Sequence, residues 1–380
     1  MGAPNKLAAL ARLAATGEPD ALRGLVALSH LVDPPGRRDA RRPPRGSERP
    51  LVAPSMTLQH LLGLPRSERP FFVVSDGVGR DSTAMLIGLR RLGVVPDAIL
   101  HADTGDEHPL TNAYRRYRQT WLRSIGFPEF EMVKRAPSVS GVTGLAFATL
   151  GEKCVANHTL PSLAFGGKHG CSVEWKIVPQ EQHLARDPRA QRTWARGLRV
   201  VKAIGYDFGP LDSRRAHHLT ADEKYEYVYP LREFGWDRPR VVAEIRAEGV
   251  RMPRKSSCVF CPASKPWEIA EIVRDYPEIA EEIAAMEDTA QPYLRGIEGL
   301  WGRTVKGMRG SIPRPGSMAL FIRTCQDDPA YLARYLAMAP EEEVYAGDDV
   351  GQVPVFRSAP QSRRRLPIVA TEGARLARVA

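Results

Sequence analysis

Between residues 70 and 135 the apolar positions alternate between short unbroken runs and helical spacing. Phe71-Phe72-Val73-Val74 is a brief apolar run ending at Ser75, and Asp76-Gly77-Val78-Gly79-Arg80-Asp81-Ser82-Thr83 follows it. Ala84, Met85, Leu86, Ile87, Leu89 and Leu92 then provide one face of a helix near 82–92. A second run, Ala98-Ile99-Leu100-His101-Ala102-Asp103, reads as a strand. Tyr114, Tyr117, Trp121 and Ile125 predict a helix over 109–125. Residues 131–135 and 200–206 are further strands, and helices resume at 238–248 and 266–288, the latter carrying Ile269, Ile272, Ile279, Ile283 and Met286. Such alternation predicts an α/β fold, an open and mostly parallel sheet with helices on both faces and ligands at the carboxyl ends of its strands.

Away from these segments the pattern weakens. Residues 1–33 read as one or two amphipathic helices and 34–50 as a Pro/Arg linker. The Gly- and Ser-containing stretch 137–176 reads as an extended loop region. Beyond about 340 few periodic apolar segments remain, so that part is expected to be poorly ordered. The expected organisation is a basic N-terminal segment (1–50), an α/β domain with a cysteine-containing insertion (51–265), a helical part (266–340) and a basic tail (341–380).

Composition adds two constraints. No apolar run reaches the ~18 residues of a membrane span, and charges interrupt the Ala/Leu-rich N-terminus, so the expectation is a cytoplasmic protein with no membrane contact. The net charge of +10 sits mostly at the ends, +4 in residues 1–50 and +4 in 361–380. These tails can touch nucleic acid or simply be solvated; composition favours the second.

A strand, a loop with two glycines and a helix start together form an anion site: main-chain N–H groups approach a phosphate, and the helix dipole favours negative charge. Asp81, Ser82 and Thr83 can cap the helix or contact the phosphate and its metal. An ordinary strand-to-helix turn has the same pattern. The second run opens into Asp103-Thr104-Gly105-Asp106-Glu107-His108, where Asp103 or Asp106 can hold magnesium or a ribose, or serve as turn and cap residues. Cys154, Cys171, Cys258 and Cys261 are four of the five cysteines, and Cys258-Val259-Phe260-Cys261 is a Cys-x-x-Cys pair that two distant cysteines can complete into a four-thiolate site. Zinc and iron–sulfur clusters both accept that donor set. His158, His169, His217 and His218 are left unassigned.

Gly77-Val78-Gly79-Arg80-Asp81-Ser82 resembles the PP-loop of the adenine nucleotide alpha hydrolases, where Ser-Gly-Gly-x-Asp-Ser is usual. Ala102-Asp103-Thr104-Gly105 resembles the partner motif of the branch containing the phosphoadenosine phosphosulfate (PAPS) reductases. Cys171-Ser172-Val173-Glu174-Trp175-Lys176, Ile204-Gly205-Tyr206-Asp207 with Arg214-Arg215, and Tyr229-Pro230-Leu231 are similar to stretches of that PAPS reductase-like family, and the resemblance covers roughly 70–270. Two departures stand out. Gly77 takes the place of the usual serine and Val78 that of the first glycine, and the Glu-Cys-Gly-x-His segment of the reductases is absent; Cys325 lies in Arg323-Thr324-Cys325-Gln326 instead.

The resemblance implies ATP with Mg2+ as cosubstrate, held by Ser75, Gly77, Gly79, Arg80, Asp81, Ser82 and Thr83, with Asp103, Thr104 and Gly105 lining the crevice. It implies adenylation of an unknown acceptor with pyrophosphate release, for example in sulfur transfer to a nucleic acid, and gives Asp81, Ser82, Lys176 and Arg215 the catalytic roles. For the metal site it favours a 4Fe-4S cluster over Zn2+. Sulfonucleotide (PAPS or APS) reduction, with Cys325 as nucleophile, and a non-catalytic nucleotide-binding subunit of a nucleic-acid modification complex are the alternatives.

Overall fold

The computed structural model describes residues 57–340, apart from 66, 166–169, 219–221 and 308–309. The expected N-terminal helices, the Pro/Arg linker, the C-terminal tail and His169 lie outside these residues.

The sheet runs β3-β2-β1-β6-β7, and all four of its ladders are parallel. Its strands are β1 (Phe72–Ser75), β2 (Ala98–Asp103), β3 (Phe130–Lys134), β6 (Val200–Ile204) and β7 (Tyr225–Val228). The protein is therefore α/β. Period-two alternation along each strand sends neighbouring residues into different cores. Phe72, Val74, Ile99, Val201, Ala203 and Val228 enter one core, together with α1 (Leu58–Gly63), α2 (Arg80–Arg91), α3 (Pro109–Ser124) and two later helices. Val73, Ala98, Leu100, Val200, Tyr225 and Tyr227 enter the opposite core.

The intervening 137–176 stretch is more ordered than its composition suggests. It holds a two-stranded hairpin, β4 (Ser138–Val139) with β5 (Ala146–Phe147), and helix α4 (Leu150–Ala156). The local cause is a reciprocal cap: Thr149 Oγ1 accepts the Glu152 N–H at 3.1 Å, and Glu152 Oε2 accepts the Thr149 N–H at 3.1 Å. A helical stretch follows from Gly170, passes through a π turn at Val173–Ile177 and continues as α5 (Val178–Arg186), which with α6 (Pro188–Ala195) covers the second face of the sheet.

After β6 come α7 (Pro210–His218), α8 (Pro230–Glu233) and α9 (Arg238–Ala247), and the last two pack on the first core. The predicted helix at 266–288 is two helices, α10 (Pro266–Asp275) and α11 (Pro277–Ala290). Pro277 has no N–H to donate and forces Tyr276 out of the helical region, to φ −142° and ψ 62°. With α12 (Met318–Asp327) and α13 (Pro329–Leu336), they build a third apolar core that also takes in Cys154, Trp175 and Phe260. A short antiparallel hairpin, β8 (Thr304–Gly307) and β9 (Gly310–Pro313), precedes α12. No described helix is long and apolar enough to cross a membrane.

Candidate functional site

The order of strands changes direction at β1, with β2 and β3 added on one side and β6 and β7 on the other, so the carboxyl ends of the parallel β1 and β6 flank a topological switch point where a crevice opens. The loop 76–79 lies at that point. Val78 takes φ +57°, a left-handed conformation that β-branched residues rarely adopt, and it is buried in the first core. Its N–H donates to Asp76 Oδ1 at 2.7 Å. The valine thus follows a path for which glycine is the unstrained choice. Gly79 is the N-cap residue of α2 and brings no side chain to cap its first turn. Ser82 Oγ accepts the Gly79 N–H at 3.2 Å, and Thr83 Oγ1 donates to the Gly79 carbonyl at 2.6 Å. Ser75 Oγ donates to Gln180 on α5 at 3.0 Å.

On the β6 side, Gly205 presses on the start of α2. A Cβ at Gly205 would stand 3.1 Å from the Ser82 nitrogen and 3.2 Å from the Asp81 carbonyl carbon. Backbone can approach backbone this closely only because the side chain is missing. Asp81 pairs with Arg238 at 2.8 Å. Burial raises the Asp81 carboxyl above its ordinary range; Arg238 opposes the shift, and Asp207 and Asp212 add to it. Arg215 pairs with Asp212 at 3.0 Å, on this same side. Tyr206 and Tyr229 stack nearly parallel with centroids 5.7 Å apart.

On the β2 side, Asp103 is fully engaged. Lys134 stands 2.9 Å from one oxygen, Arg115 3.1 Å from the other, and the Gly105 N–H donates to the latter at 3.0 Å. Burial alone would raise this carboxyl, but these partners outweigh it and hold it at about 2. Its place is that of a turn and ion-pair residue. Gly105, at φ +86°, faces Thr149, whose Cγ2 would lie 2.5 Å from an added Cβ. Asp106 accepts the Gly151 N–H at 2.8 Å and so docks α4 on the crevice; burial raises its carboxyl to about 6.

The Cys-x-x-Cys segment closes the same crevice. Ser256 lies against Gly79, with its Cβ 3.5 Å from where a Cβ on that glycine would be. Glu107 forms an isolated bridge with Cys258, and Thr104 Oγ1 lies 3.2 Å from Cys258 Sγ. The Glu107 side chain, fully buried, meets Lys176 at 3.3 Å and Ser256 Oγ at 3.4 Å. Burial disfavours the Lys176 charge, but Glu107 and the sulfurs of Cys258 and Cys261 hold its pKa above the usual value. Lys176 owes its place to the π turn, a feature common at functional sites. The two proposed cationic helpers therefore occupy opposite sides, Lys176 beside the thiols and Arg215 beside Asp212.

Cys154, Cys171 and Cys258 meet in the third core, Cys171 adjoins Cys154 and Cys261 electrostatically, and Cys258 adjoins Cys261. Burial pushes the Cys154 thiol up to about 12 and those of Cys258 and Cys261 above their usual value. As placed, no group of three His, Cys, Asp or Glu side chains among the described residues is arranged to hold a metal ion. The donor chemistry nevertheless suits a thiophilic metal, because four sulfurs from three separate segments, Cys154 buried and the others half-buried, share one neighbourhood.

Arg238, Glu107, Ser256 and Arg118 belong to this site and were not singled out from sequence. Arg118 alone had a signal, a charge set within the aromatic face of Tyr114, Tyr117 and Trp121. No protein-family model matches the chain, and no curated protein matches it.

Proposed function

We propose that this protein is an ATP-using enzyme of the PAPS reductase-like group of adenine nucleotide alpha hydrolases, one that adenylates an acceptor and releases pyrophosphate. The observation that carries the reading is the packing of the Cys258 segment on the loops after β1 and β2, through Ser256 against Gly79 and Cys258 against Thr104. Nucleotide loop and thiols thereby face one crevice. In this reading the first-turn amides of α2 and the magnesium take the phosphates, and Lys176 offsets charge developing on the thiol side. Cys154, Cys171, Cys258 and Cys261 would hold a 4Fe-4S cluster or Zn2+; the former would supply sulfur or electron chemistry, the latter a structural cross-link.

Sulfonucleotide reduction is the weaker reading. Its nucleophile would be Cys325, which is buried on α12 with its thiol pushed up to about 12 by burial.

Calorimetry on anaerobically purified protein tests the proposal, comparing ATP–magnesium with PAPS and APS. ATP is expected to bind most tightly, and Asp81→Ala to abolish pyrophosphate release while leaving the circular dichroism spectrum unchanged. Preference for PAPS or APS would replace this reading with the reductase one. Undiminished turnover by Asp81→Ala would remove Asp81 from the mechanism.

A further inference from the structure

We infer that Arg118 is a positioning residue for the phosphate loop, holding the left-handed turn at Val78 from beneath; the inference rests on the nucleotide reading only for its effect on binding. Arg118 is completely buried. Its guanidinium lies over the rings of Tyr114 and Trp121, at 5.4 and 5.5 Å, one turn away on either side along α3. From that slot it reaches both ends of the loop. One end is Asp76, with Nη1 3.8 Å from Oδ2. The other is the start of α2, where Nη2 donates to Thr83 Oγ1 and lies 3.5 Å from the Gly79 carbonyl.

Asp76 is the link between that charge and the backbone. Its Oδ1 holds the Val78 N–H, and its own carbonyl lies 2.8 Å from His101 Nδ1. A β-branched residue at positive φ persists only where its surroundings over-determine it. Here the surroundings are a buried carboxylate bonded to the amide, a buried cation facing that carboxylate, and the burial of the valine itself. Removing Arg118 leaves the buried Asp76 carboxylate without its facing cation, so the side chain is driven to move towards another partner. That movement weakens its hold on the Val78 N–H. The loop would then relax towards ordinary φ values, and the first turn of α2 would lose its fixed position against β1.

Such a role makes Val78→Gly a specific suppressor. Glycine adopts the turn without strain and does not need the clamp. The experiment measures amide hydrogen exchange in residues 77–82 and ATP–magnesium affinity for wild type, Arg118→Gln, Val78→Gly and the double variant. Arg118→Gln is expected to speed exchange in the loop and weaken binding about tenfold, the scale of strain stored at such a residue. β7 and α9 should exchange as in wild type. Adding Val78→Gly is expected to restore much of both losses.

Uniformly faster exchange throughout the sheet, or a double variant no better than Arg118→Gln, would show Arg118 to be ordinary core and overturn the inference. If Arg118→Gln does not fold, Arg118→Lys, which keeps the charge but lacks the planar fork, is compared with and without Val78→Gly in the same way. A wild-type protein that binds no ATP removes the nucleotide reading, and loop exchange then decides the clamp by itself.

Discussion

The two walls of the crevice handle charge in opposite ways. On the sheet wall three carboxylates face cations: Asp76 faces Arg118, Asp81 faces Arg238, and Asp103 faces both Arg115 and Lys134. On the other wall Cys154, Cys258 and Cys261 are buried with their pKa values pushed upward, and Lys176 is already shared with Glu107. These three carboxylates find their cations within the chain as folded. On the other wall, burial keeps the thiols of Cys154, Cys258 and Cys261 protonated, and a thiophilic metal would ionise them by displacing their protons. Under the proposed function, the first surface would meet the diffusible nucleotide and the second a resident ion.

The largest effect should come from the thiol wall. Cys258→Ser combined with Cys261→Ser is expected to lose bound iron and sulfide, or zinc, measured by elemental analysis. Its unfolding midpoint should fall by about 10 °C, as loss of about 4 kcal/mol of linked binding would give. A wild-type protein free of metal with an unaltered midpoint in the double variant would erase the contrast.

On the sheet wall the leading test is Asp103→Asn. Its folded carboxyl is held at about 2, below the ordinary value, so its contribution is fully present above pH 4 and is lost as pH falls through 2. At pH 7 the substitution should destabilise by about 2–3 kcal/mol in urea titrations, and the gap should narrow below pH 4. Loss of ATP–magnesium affinity out of proportion to stability would instead make Asp103 a ligand of the nucleotide or its metal. Gly205→Ala should act more gently, costing about 1–2 kcal/mol as the added methyl meets the start of α2. Under the proposed function nucleotide affinity should fall with it, and an unchanged affinity would detach β6 from the loop after β1.

Much of the sheet was legible because its strands are short apolar runs that end in polar loops. β2 has the predicted bounds, 98–103, and β3 is displaced by one residue. β6 ends two residues early, at Ile204, where Gly205 and Asp207 begin the loop against α2. The break at Pro277 was written in the sequence, since proline cannot continue the hydrogen-bond ladder there. The cap that starts α4 was also present, as Thr149 and Glu152 three apart, but it was hidden in a Gly- and Ser-containing stretch. Strand order was not legible. Nothing local tells β1 to pair with β6 across more than 120 residues, and that pairing places Gly205 on Asp81 and Ser82. The conformation of Val78 was hidden for a related reason, because long-range packing imposes it against the residue's own preference.

The bond between Thr104 and Cys258 joins residues 154 positions apart, and the Glu107 bridge to Cys258 spans a similar separation. Closing so long a loop is slow compared with forming neighbouring strands and helices. During synthesis β1, α2 and β2 emerge well before residue 258, at a rate of roughly 5–20 residues per second. For those seconds the loop after β1 is made but uncovered, with the Ser256 segment still to come. The crevice is thus a late product of folding, and delays in making the chain's second half fall on it before they reach the sheet.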